Sequence, residues 1–221
     1  MNAFRQEDRA GITSRREVPA TILAISGSLR RSSINSAVLR AAAAAAARDG
    51  TRIVIDQSVR ELPHFDPDLE IDPPEAVLRF RAACEEAAGV LLAVPEYTFS
   101  IPGSFKNALD WTVGSGSLYR KPITILDVAP PGRGAHARVA LDLVFKAHNA
   151  DVARYSIPVA PADRKAAGEV DDPRIIAELR AVIADLARRS RSLENDDHAV
   201  NEGSDRDGAA RSGLADEVDG G

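Results

Sequence analysis

The chain has one cysteine, four histidines and no long apolar run, and each scarcity excludes a class of protein. Cys84 alone cannot form an internal disulfide or a cysteine-based metal cluster, which is typical of a reducing compartment. No uninterrupted apolar stretch approaches the roughly 20 residues that span a bilayer. Residues 1–18 mix charged side chains without the apolar core of a secretory signal, so we expect a soluble, cytoplasmic protein.

An excess of basic charge is also missing. The net charge is −5, but residues 191–221 hold nine acidic and three basic residues, so the rest of the chain is almost neutral at +1. Because nucleic-acid-binding proteins usually carry a basic stripe, we expect neither nucleic acid nor a membrane as a partner. The acidic, apolar-poor residues 191–221 and the extension 1–17 are expected to be disordered, which leaves one domain at 18–190.

Short β-branched runs alternate with helical patterns, as is typical of an α/β protein with a parallel sheet between helices. Strands are predicted at residues 20–26, 52–57, 89–95, 122–128 and 151–157. Helices are predicted at residues 35–49, 75–88, 103–113, 136–149 and 172–189. In a doubly wound sheet of this kind, ligands bind at the carboxyl ends of the strands, where the strand order changes direction.

The turn after the first predicted strand has the composition of a phosphate-binding loop. Ser26-Gly27-Ser28 joins an apolar run to a helix, where unpaired backbone N–H groups and the helix dipole favour an anion. The turn is rich in hydroxyl, guanidinium and amide donors: Ser28, Arg30, Ser32, Ser33 and Asn35. The alternative is a polar turn in which Asn35 merely caps the helix.

A second dense segment, residues 95–111, follows the third predicted strand. Two prolines and a glycine turn its backbone away from the sheet, and Tyr97 and Phe99 add aromatic surface on which a flat ligand could rest. Together the two segments predict a two-part site, with a phosphate at one loop and a planar ring at the other. A packed surface loop is the alternative for the second segment.

The order of these motifs resembles the NAD(P)H-dependent FMN reductases, which include bacterial quinone and chromate reductases. The resemblance rests on Gly-Ser-Leu-Arg at 27–30, on Pro-Glu-Tyr-x-x-Ser-x-Pro-Gly at 95–103 and on Lys-Asn-Ala-Leu-Asp-Trp at 106–111. It covers residues 20–159 and implies a flavodoxin-like sheet of five parallel strands in the order 2-1-3-4-5. It also implies FMN as cofactor, NADPH or NADH as co-substrate, a quinone, flavin or similar small oxidant as acceptor, and a homodimer or homotetramer.

The resemblance further assigns cofactor-binding positions. The matching phosphate-binding residues are Ser28, Arg30, Ser33 and Asn35, with Ser26 as a weaker candidate beside them. The matching residues of the isoalloxazine loop are Pro95, Glu96, Tyr97 and Thr98. Many members have Asn in place of Thr98, and many have a Ser-Pro-Gly-like turn after the fourth strand, where residues 128–136 lack the hydroxyl but retain Gly132 and Gly134, which permit close backbone approach.

No catalytic side chain is expected, because hydride transfer is the chemistry of the flavin itself. No metal site is expected either, because His136 and His148 have no carboxylate at ligand spacing. Arg30, Arg31 and Arg133 are candidates for the 2′-phosphate of NADPH.

Two alternatives to the reductase stay open at this stage. The protein could be a non-enzymatic FMN-bearing electron carrier or flavin-binding module, although Arg30 in the phosphate loop favours the reductase. FMN could also be a dissociating substrate. A hydrolase and a nucleotide triphosphatase are disfavoured, because neither the Gly-x-Ser-x-Gly elbow nor the Gly-x-x-x-x-Gly-Lys-Ser/Thr loop occurs.

Overall fold

The computed structural model describes residues 21–160, 163 and 168–212, with side chains as far as residue 193. Five parallel strands pair in the order β2-β1-β3-β4-β5, so the predicted fold class and strand order are confirmed. The strands are β1 (Thr21–Ser26), β2 (Arg52–Ile55), β3 (Gly89–Ala93), β4 (Pro122–Asp127) and β5 (Asp151–Ser156).

Helices connect the strands and cover both faces of the sheet. They are α1 (Ile34–Arg48), α2 (Glu75–Glu86), α3 (Gly103–Val113), α4 (Ala135–Ala147) and α5 (Pro173–Ser212). Short 3-10 turns at Ser58–Arg60 and Pro67–Leu69 lie in the connection between β2 and α2. None of the helices formed by the described residues is both long and apolar enough to cross a membrane.

Helix α5 continues to Ser212, beyond residue 189 where the sequence analysis places its end. Composition indicates how much apolar surface a segment can bury, but it does not fix where a helix stops, and residues 190–200 contain no glycine or proline. Disorder was expected from Arg191 onwards, whereas the backbone is helical as far as Ser212. The domain limits at 17 and 190 stay predictions, and residues 1–20 and 213–221 lie outside the described residues.

Each face of the sheet buries its own apolar core. One face packs against α1 and α5, and the other against α2, α3 and α4. The alanine run 41–47 lies within α1, as predicted, and Ala42 and Ala46 are fully buried there. Because alanine combines a high helix propensity with a small side chain, this run forms a helix that lies close to the sheet.

The strand register brings the two sequence motifs together. Ser26 at the end of β1 pairs with Ala93 at the end of β3, and the Gly27 N–H donates to the Ala93 carbonyl at 2.9 Å. A Cβ atom on Gly27 would lie 2.8 Å from Cγ1 of Val94, which is closer than packed atoms allow. Glycine at this position therefore lets the two loops leave the sheet side by side.

The long connection between β2 and α2 is fixed to α3 by side chains of the Lys-Asn-Ala-Leu-Asp-Trp motif. Trp111 is fully buried, and its Nε1 donates to the Pro63 carbonyl at 3.0 Å. Asn107 donates to the same carbonyl at 2.8 Å and accepts from the Phe65 N–H at 2.7 Å. This motif therefore supports the fold.

Candidate functional site

A cleft of about 730 Å³ opens at the carboxyl ends of β1, β3 and β4. Its walls are the three loops that follow these strands, within residues 28–35, 94–99 and 128–136. The volume lies within the roughly 300–1,000 Å³ of small-molecule sites. In a sheet of this order, the strand order changes direction between β1 and β3, which is where ligands bind.

Serine hydroxyls hold the first wall together from within. The Ser26 hydroxyl accepts from Ser36 Oγ at 2.9 Å and from the Ser28 N–H at 3.2 Å. The Ser28 hydroxyl lies 3.2 Å from Tyr97 Oη, and it accepts from the Arg30 N–H at 3.4 Å. Ser26 thus shapes the loop without lining the cleft, whereas Ser28 lines the cleft and reaches across to the second wall.

The N-terminus of α1 faces this cleft without a side-chain cap. Ser33 is the N-cap residue, with φ −70° and ψ 131°, but its hydroxyl makes no capping hydrogen bond. The first turn of α1 contains no acidic residue. The first N–H groups of a helix lack partners within the helix, and the helix dipole adds positive potential at the same point. This end of the cleft is therefore built to bind an anion.

Asn35 provides an unpartnered acceptor in the same wall. The residue is 4% exposed, and its Oδ1 has no hydrogen-bond partner among the described residues. A buried acceptor left unpaired costs about 1–3 kcal/mol. A ligand hydroxyl in the cleft would remove that cost, so the first wall fits a ligand that combines an anion with donor groups.

The second wall ends in a tight turn over Tyr97–Ser100. The backbone groups of Tyr97 and Ser100 hydrogen-bond to each other at 2.8 and 3.0 Å. The two residues between them, Thr98 and Phe99, have φ values of 49° and 57°, the left-handed conformation that a two-residue type I′ turn requires. Such a conformation costs about 1–2 kcal/mol per non-glycine residue. The turn places the exposed rings of Tyr97 and Phe99 at the cleft.

Glu96 joins the second wall to the third. Its Oε2 accepts from the backbone N–H groups of His136 at 2.8 Å and Ala137 at 3.2 Å. The N-cap residue of α4, Gly134, has no side chain to do this. Partial burial would raise the pKa of Glu96, but hydrogen bonds from the Ala137 and His136 N–H groups outweigh it, so the pKa lies below its ordinary value.

The nine predicted cofactor residues fall into two groups, those that line the cleft and those that do not. Those that line the cleft are Ser28, Arg30, Ser33, Asn35, Pro95, Glu96 and Tyr97. Ser26 and Thr98 do not line it: the first is engaged within the β1–α1 loop, and the second sits in the tight turn. Direct contact of any of them with a cofactor stays a prediction.

The third wall contains residues that the sequence analysis did not assign to the flavin site. Ala129, Pro130, Arg133 and His136 all line the cleft. Gly132 and Gly134 have φ values of 82° and 80°, so the backbone here adopts a conformation that favours glycine. The glycine pair was the signal available in the sequence. The His136 ring packs edge-on against Phe99, with centroids 5.0 Å apart.

Other chemical groups lie outside the cleft. Among the described residues, no three His, Cys, Asp or Glu side chains are placed to hold a metal ion. Burial raises the pKa of Cys84 to about 12, so its thiol is unreactive at neutral pH. His148 is buried between Thr112 Oγ1 at 3.0 Å and the Val144 carbonyl at 3.1 Å, where it supports the packing of α3 against α4.

A parallel sheet in the order 2-1-3-4-5, with an anion-binding helix start beside an aromatic loop, defines a flavodoxin-like flavoprotein. Residues 20–162 match the family model described as NADPH-dependent FMN reductase. The chain belongs to this family.

Individual relatives agree with that assignment. The chain is 34% identical over 184 residues to a probable NADPH:quinone oxidoreductase 2 of Oryza sativa subsp. japonica, covering 75% of this chain and 86% of that protein. It is 33% identical over 132 residues to a quinone reductase of Pseudomonas putida, covering 57% of this chain and 70% of the relative. FerB from Paracoccus denitrificans, a flavoenzyme NAD(P)H:(acceptor) oxidoreductase, superposes with a TM-score of 0.64 at 27% identity, covering 78% and 98% of the two chains.

The protein is thus an FMN-dependent oxidoreductase that uses NAD(P)H, and the predicted enzyme class and cofactor are confirmed. The family assignment favours an enzyme over the electron carrier that the sequence motifs left open. The residues of the cleft also fit FMN, since they offer an anion site, an unpartnered buried acceptor and an aromatic wall.

Proposed function

We propose that the protein reduces a quinone or a similar small oxidant with electrons from NADPH or NADH. The observation that carries the proposal is the cleft itself, in which the start of α1 and the unpartnered Asn35 Oδ1 lie at one end and aromatic residues at the other. Bound FMN supplies the redox chemistry, accepting hydride from the nicotinamide and passing electrons to the acceptor. The chain's own residues bind, orient and shield it.

The phosphate of FMN would lie at the N-terminus of α1. The uncapped N–H groups of the first turn would donate to its oxygens, and Ser28 and Ser33 lie in the same wall. Arg30 lines this wall and forms no ion pair with another described residue, so its guanidinium is available to a dianion.

Asn35 would bind the part of FMN next to the phosphate. Its Oδ1 can accept from a ribityl hydroxyl, which would satisfy the buried oxygen. Rotation of the amide would bring Nδ2 to a phosphate oxygen instead. Either arrangement gives the amide a partner in the complex that it lacks among the described residues.

The ring of FMN would lie between the second and third walls. The backbone of Glu96 and Tyr97 borders the cleft on one side, and the 128–136 loop borders it on the other. Because the Glu96 carboxylate is held by the start of α4, it fixes the spacing of the two loops and does not point a free charge at the ring. Thr98 does not line the cleft, so its hydroxyl is not proposed as a ring contact.

A flat acceptor would enter at the exposed rim. Tyr97 and Phe99 are 48% and 75% exposed there, and an aromatic rim suits both a nicotinamide and a quinone. We propose that the two substrates use the same ring face in turn, which predicts parallel lines in double-reciprocal plots. Relatives named quinone reductases support the choice of acceptor.

A homodimer or homotetramer is proposed from the family resemblance. Val139 and Leu143 are 60% and 63% exposed one turn apart on α4, which is consistent with a subunit contact. Sedimentation equilibrium of the wild type and of Leu143→Glu tests this. A cytoplasmic location is proposed as well, supported by one buried cysteine and by dependence on a reduced nicotinamide.

The test is anaerobic addition of NADPH, and separately of NADH, to the purified FMN-loaded protein while flavin absorbance is followed, with a quinone added afterwards. Bleaching that recovers on addition of quinone supports the proposal. Flavin that binds but is not bleached contradicts it in favour of an electron carrier. Failure to bind flavin contradicts the site assignment, and loss of flavin on desalting indicates FMN as a dissociating substrate.

A further inference from the structure

A second pocket, of about 250 Å³, lies on the β2 side of the β1–α1 loop. Four arginines line it, with an amide and a hydroxyl beside them, and we call it the arginine pocket: Arg30, Arg31, Arg40, Arg60, Gln57 and Ser36. Ser28 and Arg30 line both this pocket and the cleft. The β1–α1 loop is therefore a wall shared by the two.

The arginines of this pocket are not neutralised. Arg30, Arg31 and Arg40 form no ion pair with any described residue, and Arg60 donates to the Leu29 carbonyl at 3.3 Å. The carboxylate in the lining, Asp56, accepts from the N–H and the hydroxyl of Ser58 at 3.1 and 2.7 Å.

Other exposed arginines fall into two groups: some are paired, whereas Arg48, Arg52 and Arg133 form no ion pair with a described residue. What sets the pocket apart is that four guanidinium groups line it together. Arg180 binds both carboxylate oxygens of Asp49, and Arg79 binds Glu75 at 2.7 Å. Even with Arg30 assigned to the phosphate of FMN, three cations surround one engaged carboxylate and leave an excess positive charge at this point of the surface. Such an excess repels itself unless an anion binds.

The chemistry of the pocket suits a phosphate monoester. Arginine donors form planar forks that match phosphate oxygens, and several of them together discriminate a dianion from a neutral hydroxyl. The pocket is smaller than the roughly 300–1,000 Å³ that enclose a whole ligand. It therefore fits one terminal group of a molecule whose main part lies elsewhere.

We propose that the arginine pocket binds the 2′-phosphate of NADPH and makes the protein prefer NADPH over NADH. The inference rests on the proposed function, in which the FMN phosphate takes the start of α1 and the nicotinamide lies in the cleft. NADPH carries a terminal phosphate monoester that NADH lacks. Arg40 and Arg60 are the specificity-determining residues, whereas Arg133, a candidate from the sequence, lines the third wall of the cleft instead.

A binding experiment tests the pocket without any turnover. Adenosine 2′,5′-bisphosphate and 5′-AMP are titrated calorimetrically into the full-length FMN-loaded protein. We expect the bisphosphate to bind at least about 10-fold more tightly than 5′-AMP, and Arg40→Gln to remove most of that difference. Arg48→Gln is the matched control, because Arg48 lies on the same helix and lines a neighbouring pocket together with Arg40 but does not line the arginine pocket. Equal binding of the two nucleotides by the wild type overturns the inference.

A kinetic experiment separates this inference from the proposed function. Arg40→Gln and Arg60→Gln should each lower kcat/KM for NADPH about 10-fold through KM and leave the values for NADH unchanged. Equal losses with both nucleotides, or the same loss in Arg48→Gln, overturn the inference while the reductase activity stands. If neither nucleotide bleaches the flavin yet the bisphosphate binds in an Arg40-dependent way, the proposed function fails and the phosphate pocket survives. If Arg60→Gln loses FMN because its hydrogen bond to the Leu29 carbonyl is removed, the inference is tested by Arg40→Gln alone.

Discussion

The first and second walls of the cleft are held in place by different means. The β1–α1 wall is held largely by local contacts, since the hydrogen bonds among Ser26, Ser28 and Ser36 span at most ten residues. The Ser28 hydroxyl adds one longer-range contact, to Tyr97 Oη at 3.2 Å. The second wall depends on a distant partner, because the Glu96 carboxylate binds the start of α4 about forty residues later. The phosphate end of the site is therefore encoded largely by a contiguous segment, whereas the ring end also needs α4 in place.

The largest expected effect comes from separating the two walls at the point where they touch. Gly27→Ala would place a Cβ 2.8 Å from Cγ1 and 3.1 Å from Cα of Val94, so the ends of β1 and β3 must move apart. We expect a loss of about 1–3 kcal/mol in the free energy of unfolding and weaker FMN binding.

Gly103→Ala is the matched control for that change. Nothing lies within 4 Å of the Cβ it would add, and the residue is the first of α3, so stability should stay constant or rise by up to about 1 kcal/mol. Urea denaturation measures both variants. Equal stability of Gly27→Ala and the wild type would show that the two walls are not in the close contact described.

Replacing Asn35 tests the local wall without disturbing the distant one. Asn35→Leu removes the unpartnered Oδ1, so the FMN-free protein should be as stable as the wild type or more stable by about 1 kcal/mol. The same variant should bind FMN about 10-fold more weakly. Asn107→Leu should lower the stability of the FMN-free protein and leave the affinity for FMN unchanged, because both the oxygen and the nitrogen of that amide are bonded within the protein. Thermal unfolding of the FMN-free forms measures stability, and FMN titration measures affinity. If the two variants change stability and affinity in the same way, the assignment of Asn35 to the ligand site is contradicted.

Replacing Glu96 tests the distant support of the second wall. Glu96→Gln retains an acceptor but loses the charge at the start of α4, so the variant should be less stable at pH 7 and bind FMN more weakly. Because the pKa of Glu96 is lowered from its ordinary value of 4.5, the wild-type advantage is present above that pH and disappears as the pH falls through the lowered pKa.

Denaturation midpoints of both proteins between pH 7 and pH 3 measure this dependence. Glu61→Gln is the control, since Glu61 pairs with Arg79 at 3.4 Å on the open surface. A difference between the wild type and Glu96→Gln that stays constant down to pH 3 would exclude the charge as its cause.

The smallest expected effect is at the tight turn of the second wall. Thr98 has φ 49°, and asparagine adopts this left-handed conformation more readily than a β-branched residue does. Thr98→Asn should therefore raise the melting temperature by a degree or two, corresponding to about 0.5 kcal/mol for a chain of this size. FMN affinity should change little, because Thr98 does not line the cleft. A fall in the melting temperature would mean that the threonine side chain stabilises the turn.

The fold was predictable because its signals are periodic and local. Each β-branched run from β1 to β5 is bounded by turn residues, and the alternation with helices permits few topologies. The end of α5 was not predictable in the same way, since composition reports potential burial while a helix stops where its backbone pattern is broken.

The candidate site was predictable in proportion to how local its contacts are. Ser28, Arg30, Ser33 and Asn35 follow one strand in sequence, so a motif identifies them together. Glu96 lines the cleft, and its carboxylate binds the start of α4, a partner that no local pattern specifies. The position of His136 and Arg133 in the third wall was not predicted for the same reason, and neither was the placement of Arg40 and Arg60 in one pocket.

The burial of Trp111 gives the protein a second optical signal besides the flavin. It is the one tryptophan of the sequence, it packs edge-on against Phe65 at 5.0 Å, and it lies under the connection between β2 and α2. The wavelength of its fluorescence should shift to the red only when that connection detaches and water reaches the indole. The absorbance of FMN reports on the cleft. Recording tryptophan fluorescence and FMN absorbance from one sample would therefore show which of the two regions opens first during unfolding.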